Sequence, residues 1–289
     1  MDADVKINLA KTAGFCFGVR RAIKMALKTS QTNTDVQMLG DIVHNEHVVK
    51  EINEAGIRVA ESMEAIQGGT LLLRAHGAVP EVYEKAQAKN LQVVDATCPL
   101  VTEIHKAARD LEIEGYRLVV IGDHNHDEVI GICAQVENAV VFAHPSEVAT
   151  FNDCFRKVGV VVQSTQDIDN VRQIVYELLL KCQEMKFINT ICKPTTDHQE
   201  EIRRMPREND VMIIVGSFTS ANTKRLTEIS RELNPRTYQV QSAEDIQGAW
   251  LAGAKNIGVS AGASTPDRII DSVVERIRQL TTQETTSIP

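Results

Sequence analysis

Three stretches of this 289-residue chain follow one plan. VKINLAKTAGFCFGVRRAIKMAL, LQVVDATCPLVTEIHKAARDL and MKFINTICKPTTDHQEEIRR each pass from an extended apolar run, through a short polar turn with one cysteine, into a helix-patterned segment. An internal repeat constrains a fold more than local propensity does, because every copy must bury its apolar faces in the same way. The three cysteines are Cys16, Cys98 and Cys192. A second shared feature follows each of them: MLGDIVHNEHVVKEI, LVVIGDHNHDEVIG and VMIIVGSFTSANTKRLTEI. Their loops carry His44, His126 and Ser220, each 28 residues beyond its cysteine. A third feature closes each copy, in TLLLRAHGAVPEVYEKA, VGVVVQSTQDIDNVRQI and NIGVSAGASTPDRIIDSVV, with His76, Ser164 beside Thr165, and Ser264 in the loops. Any α/β protein alternates strand, loop and helix; that ordinary alternation explains neither the equal spacing nor the matched polar positions.

Apolar runs of about five residues alternating with amphipathic helices predict parallel sheets made of right-handed βαβ units. The fold class expected is therefore α/β: three similar small parallel-sheet units in a pseudo-three-fold trefoil. Ligands of open parallel sheets gather at the carboxyl ends of the strands. The matched polar positions all follow strands, so a rough three-fold axis brings them to one central cavity. No Gly/Ser/Pro linker is visible, and the boundaries are placed at the cysteines: 12–98, 99–192 and 193–281. A first strand near Val5–Leu9, within 1–11, joins the third unit's sheet, and the polar end 282–289 is expected to be frayed.

Net charge is −8 with pI near 5.5, and there is no basic run or aromatic-interleaved basic patch, which argues against a nucleic-acid partner. No window approaches 18 uninterrupted apolar residues, so no membrane span is expected, and MDADVKINLAKTAG lacks the basic start and apolar stretch of a signal peptide. A cytoplasmic protein follows. In a reducing compartment its six cysteines are ligands or buried thiols rather than disulfides.

Three thiolates at a three-fold centre suit a metal. Zinc would take them as three of four ligands, and a cubane iron–sulfur cluster would take them on three of its irons. Each lies at a helix start, where the partial positive charge favours thiolate. The plain alternative is three half-buried thiols. Cys133, Cys154 and Cys182 occupy no matched position and read as packing residues. His44, His76, Ser220, Asn222 and Ser264 are short hydrogen-bonding groups. Each is a simple helix cap or loop residue on its own; facing one cavity together, they suit a phosphate or diphosphate.

GFCFGV, IVHN, AHG, DATCPLV, the His-x-Glu of HDEVIG, TIC, the spaced serines and Asn of GSFTSAN, and SAGASTPD occur in this order. Together they resemble the 4-hydroxy-3-methylbut-2-enyl diphosphate reductase family, IspH or LytB, over about residues 5 to 280. DATCPLV and SAGASTPD are the specific parts; AHG or IVHN alone would be weak. The resemblance implies reductive removal of the substrate's allylic hydroxyl to give isopentenyl and dimethylallyl diphosphates, the last step of the non-mevalonate isoprenoid pathway. It implies a trefoil around one [4Fe–4S] cluster held by Cys16, Cys98 and Cys192, and a ferredoxin or flavodoxin-type electron donor. It assigns diphosphate binding to His44, His76, Ser220, Asn222 and Ser264, further substrate contacts to His126 and Ser164, and proton delivery to Glu128. Beside a negative cluster and a diphosphate, Glu128 is expected to hold its proton near neutral pH. Four positions depart from the family pattern: Ser164 for a usual Thr, Ala221 for a frequent Ser, Asp127 for a common Pro, and Asp123 for a frequent His.

Two rivals remain on the sequence. His124, His126 and Glu128 could form a facial metal triad in an extended segment, since residues two apart face one side. That reading leaves the cysteine repeats unused, and an exposed loop is the plain expectation for His124. A non-catalytic iron–sulfur sensor would need an output module, and none is visible in the sequence.

Overall fold

The computed structural model describes residues 5–285. In chain order the elements are β1 (Lys6–Leu9), α1 (Phe17–Thr32), β2 (Val36–Leu39), α2 (Glu46–Glu54), β3 (Arg58–Ala60), β4 (Thr70–Leu73), α3 (Pro80–Ala88) and β5 (Gln92–Asp95). Then come α4 (Pro99–Ile113), β6 (Arg117–Ile121), α5 (Asp127–Cys133), β7 (Val140–Phe142), α6 (Pro145–Thr150), β8 (Phe155–Val162), α7 (Ile168–Leu179) and β9 (Cys182–Phe187). The last are α8 (Lys193–Glu208), β10 (Val211–Val215), α9 (Ala221–Leu233), β11 (Thr237–Val240), α10 (Gly248–Leu251), β12 (Asn256–Ala261) and α11 (Asp267–Thr285).

The strands form three four-stranded parallel sheets, ordered β3-β2-β4-β5, β7-β6-β8-β9 and β11-β10-β12-β1. Each sheet reads second, first, third, fourth; the third takes its fourth strand from the start of the chain. The repeat seen in the sequence is thus one topology used three times, once across the termini. Every pairing is parallel, as the helical connections require.

The sequence pattern follows position in the sheet. β10 (VMIIV) is buried at all five residues and β4 (TLLL) at all four, because both faces of these central strands are covered. Ile213 and Ile214 point to opposite faces, into separate apolar clusters, each fully buried. Such burial stabilises by about 1.5–3 kcal/mol per side chain. The outer strands β5 (QVVD) and β9 (CQEMKF) are polar and largely exposed. The sheet of β6 and β8 has the same two-sided core, with Val160 on one face and Val161 on the other.

The chain divides into two compact units, one of 1–17, 44–48 and 193–289, the other of 18–43 and 49–192. The first holds the β11-β10-β12-β1 sheet, the second the other two. Some expectations need correction. Residues 282–285 are in helical conformation at the end of α11, and the rest of the expected tail lies outside the described residues. Cys182 opens β9, and Cys154 is exposed in the loop before β8 rather than packed. Cys133 and Cys182 are half-buried against apolar clusters.

Candidate active site

Each of the three repeat cysteines occupies the same place. Cys16, Cys98 and Cys192 follow the outer strands β1, β5 and β9 and immediately precede α1, α4 and α8. Their backbone N–H groups donate to Ala263 O at 3.0 Å, Ala75 O at 2.9 Å and Ser164 O at 3.1 Å, in the loops after β12, β4 and β8. One hydrogen bond thus fixes each cysteine to the loop of the neighbouring central strand. All three are half-buried, and none of the six cysteines is in a disulfide. The helices they precede are 16, 15 and 16 residues long, so each cysteine stands at the partially positive N-terminal end of a long helix. This donor set fits a thiolate-ligated iron centre.

In the larger unit, β6 ends at Ile121 and the chain turns through Gly122 into α5. A Cβ on Gly122 would lie 2.6 Å from Val129, so glycine lets the helix approach the strand end. His126 caps α5, its Nδ1 accepting from Glu128 N at 3.2 Å. His76 and His126 meet edge to face, ring centroids 5.7 Å apart. Glu128 is not a loop residue as the sequence suggested; it is the second residue of α5 and is 1% exposed, so it is no surface Glu. Ser164 N donates to Glu128 Oε1 at 2.6 Å, and Ser164 Oγ lies 2.8 Å from Oε2. Burial pushes the Glu128 carboxyl above the usual carboxylate range. The two hydrogen bonds from Ser164 oppose that rise without cancelling it, and Asp123 adds to it. The acidic residue at the frequent-His position therefore favours a protonated Glu128.

Asp123 is itself held by Gln163, whose Oε1 accepts from Asp123 N at 2.8 Å while Nε2 donates to Thr165 Oγ1 at 2.8 Å. Gln163 is fully buried, and nothing in the sequence marks it beyond its place after a strand. His124 turns away from this group: its Nε2 lies 2.9 Å from Glu147 Oε2, with half of its side chain exposed. The facial-triad reading of His124, His126 and Glu128 is therefore excluded. Another residue missed is His105 on α4, buried against Gly77 and Gly131, with its pKa pushed down to about 4 by burial and then by Arg109.

In the other unit, Gly14 (φ +100°) brings the chain to Cys16 past the start of α11; a Cβ there would lie 2.8 Å from Asp267. Ser264 Oγ donates to His44 O at 3.3 Å. Ser220 caps α9, accepting from Thr223 N at 3.4 Å, and Asn222 is the second helical residue rather than a loop residue. Asn222 is 5% exposed, yet neither its Oδ1 nor its Nδ2 has a hydrogen-bond partner. An unsatisfied buried amide costs about 1–3 kcal/mol and marks a place that a polar ligand or an ordered water completes. The helix starts also refine the 28-residue match. Asn45 caps α2, accepting from His47 N and Val48 N, so Asn45 rather than His44 corresponds to the caps His126 and Ser220.

The model of the LytB protein family matches residues 7–278. The chain belongs to the LytB family. Its relatives include the 4-hydroxy-3-methylbut-2-enyl diphosphate reductase of Geobacter metallireducens, 42% identical over 281 residues, 97% of this chain and 100% of the relative. That of Aquifex aeolicus is 42% identical over 284 residues, covering 96% and 97%. Among solved LytB structures, (E)-4-hydroxy-3-methyl-but-2-enyl diphosphate reductase, the terminal enzyme of the non-mevalonate pathway, superposes with TM-score 0.69 at 40% identity, covering 95% of this chain and 99% of the other. The Plasmodium falciparum E-1-hydroxy-2-methyl-but-2-enyl-4-diphosphate reductase superposes with TM-score 0.89 at 28% identity, covering 94% and 87%.

Proposed function

We propose that this chain reductively removes the hydroxyl of (E)-4-hydroxy-3-methylbut-2-enyl diphosphate to give isopentenyl and dimethylallyl diphosphates, with Cys16, Cys98 and Cys192 holding one [4Fe–4S] cluster. The reaction is supported by relatives about 40% identical along nearly the whole of both chains. The three-cysteine assignment rests on one strand–cysteine–helix arrangement used three times, which also supports repeats at 12–98, 99–192 and 193–281. No helix among the described residues is long and apolar enough to cross a membrane. Six thiols outside disulfides suit a reducing, cytoplasmic setting and a ferredoxin or flavodoxin-type donor.

Expelling the hydroxyl as water and placing hydrogen on an allyl carbon consumes two electrons and two protons. When bound, the cluster supplies electrons one at a time and an iron without a protein thiolate as Lewis acid. The chain's own residues supply the rest. Asn222 offers its unpaired amide to the diphosphate, with Ser220, Ser264, His44 and His76 as further polar contacts. This anchoring orients the substrate. Glu128, the observation that carries the chemistry, is a buried acid that holds its proton above the usual carboxylate range and can deliver it to the leaving oxygen. Ser164 fixes that carboxyl through both its amide and its hydroxyl, and His126 caps the helix that bears it.

Anaerobic purification, iron and acid-labile sulfide analysis, and EPR of the reduced protein test the cluster; turnover of the allylic diphosphate with excess reduced donor tests the reaction. About four irons and four sulfides per chain with reductase activity are expected. Stoichiometric zinc without sulfide, or a loaded cluster without turnover, would overturn the reading.

A further inference from the structure

Asp127 lies between His126 and Glu128 and is the first residue of α5. As the first residue of a helix, that position suits Pro, whose ring presets φ and whose missing N–H is not needed there. The preceding residue is compatible as well, since His126 is extended (φ −79°, ψ 133°). Asp has no such ring, so the start of α5, where Glu128 is set, needs any restraint from a side-chain partner.

The structure supplies another restraint. Arg74, just after β4, donates from Nη1 to Asp127 Oδ2 at 2.7 Å. The pair is half-buried, with side chains 23% and 26% exposed, and is therefore less screened than a surface pair. Space for the guanidinium is kept by Gly40 after β2, where a Cβ would lie 2.8 Å from Nη1. Val129 and Ile132 hold the inner face of α5 in an apolar cluster. The outer face is open: α5 is only seven residues long, Ile130 is 48% exposed, and a cavity of about 140 Å³, lined in part by Arg74, Asp127, Ile130 and Gly131, lies there, so on this side the ion pair is the restraint.

We infer that the Arg74–Asp127 ion pair is a positioning device that sets the start of α5, and through it Glu128, supplying the restraint that a proline ring would give at this helix position. The inference rests on the role proposed for Glu128. Arg74 and Asp127 act as positioning residues; the Asp127 carboxylate also lies within 4.8 Å of a His76 ring nitrogen, which is why KM is read beside kcat.

The test compares anaerobically prepared holoenzyme as wild type, Arg74→Met, Asp127→Asn, the double variant, Asp127→Pro, and Arg74→Met with Asp127→Pro. Three quantities are read: kcat and KM for the allylic diphosphate, the pH dependence of kcat, and amide hydrogen exchange across 127–133 by mass spectrometry. Arg74→Met and Asp127→Asn are each expected to lower kcat about three- to ten-fold, hold KM within about two-fold, speed exchange in α5 and shift the pH profile. The double variant is expected to lose no more than either single one, as partners in one interaction do. Asp127→Pro is expected to keep kcat within about two-fold and to make Arg74→Met silent, because the ring replaces the tie. Losses that multiply in the double variant, unchanged α5 exchange in Arg74→Met, or a raised KM from Arg74→Met that persists in the Asp127→Pro background would each overturn the inference, the last by making Arg74 a substrate contact. A wild type that holds its cluster but turns over no substrate would instead overturn the proposed function; the exchange measurement would still decide whether the pair holds the helix.

Discussion

Replacing Glu128 by Gln separates the carboxyl's chemistry from its packing. The side chain is fully enclosed and faces two Ser164 groups, N–H at 2.6 Å and Oγ at 2.8 Å. Gln can keep both contacts: its carbonyl oxygen accepts from Ser164 N–H and its amide donates to Ser164 Oγ. The fold and cluster should therefore survive, while the acidic proton is lost. The expected cost in turnover is about 10²-fold or more, with substrate binding within about ten-fold. Stability gives an independent reading. Burial raises the carboxyl's pKa in the folded state, so the native protein retains a proton that the unfolded chain releases. Wild-type stability from this group is whole below the ordinary carboxylate range and declines as pH rises through the raised folded value. The slope is at most about 1.4 kcal/mol per pH unit for one proton. Glu128→Gln lacks that slope, so its advantage over wild type should grow as pH rises across this window. Urea unfolding of the anaerobic holoenzymes at a series of pH values, beside single-turnover and steady-state rates, measures both effects. Parallel stability curves would mean that the carboxyl does not titrate as a buried acid, and a near wild-type kcat with donor in excess would remove Glu128 from proton delivery.

Cys16→Ser, Cys98→Ser and Cys192→Ser should each lose most bound iron in anaerobic analysis, while Cys133→Ser, Cys154→Ser and Cys182→Ser retain it; full iron in any of the first three contradicts the cluster assignment. Asn222→Ala should weaken substrate and pyrophosphate binding about ten- to a hundred-fold, the worth of a hydrogen bond to a charged group of about 1.5–3 kcal/mol, with an unaltered cluster spectrum. It is a cleaner probe than Ser220→Ala, which also removes the cap of α9. His105 is held neutral to about pH 4 by burial, so the wild type should lose stability as pH falls from about 6.5 toward 4. His105→Leu should flatten that acid limb in urea melts, and a limb equally steep in the variant would place its origin elsewhere.

The sheets were legible because their signal is doubly redundant. Central strands such as VMIIV and TLLL are apolar on both faces, and the same order of features returns three times. Even the joining of the first strand to the third sheet followed from repeat logic, since Lys6–Leu9 precedes Cys16 as β5 and β9 precede the other two cysteines. Less was visible where one-residue geometry matters. Equal spacing aligned His44 with His126 and Ser220, but the helix caps align Asn45 with them. A loop can gain a residue without disturbing the strand and helix beside it, so loop spacing carries register only to within a residue.

Side-chain partnerships within the candidate site were the least legible, for a physical reason. Glu128 and Ser164 are 36 residues apart, and Arg74 and Asp127 are 53 apart. No periodicity links such pairs; only the folded sheets bring them together. The sequence could mark Ser164 as a hydroxyl at a strand end but not show that it binds a carboxylate with both of its donors. It could mark Asp127 as a departure from the family pattern but not show that a cation waits for it on another sheet. From the sequence, neighbouring negative charge is the reason for Glu128 to hold its proton. In the structure the main cause is burial, with Asp123 as a smaller contribution. That difference has a consequence: a carboxyl raised by burial carries its upward shift whether or not substrate and cluster are bound. The readiness to hold a proton would then belong to the fold itself, present before the diphosphate arrives.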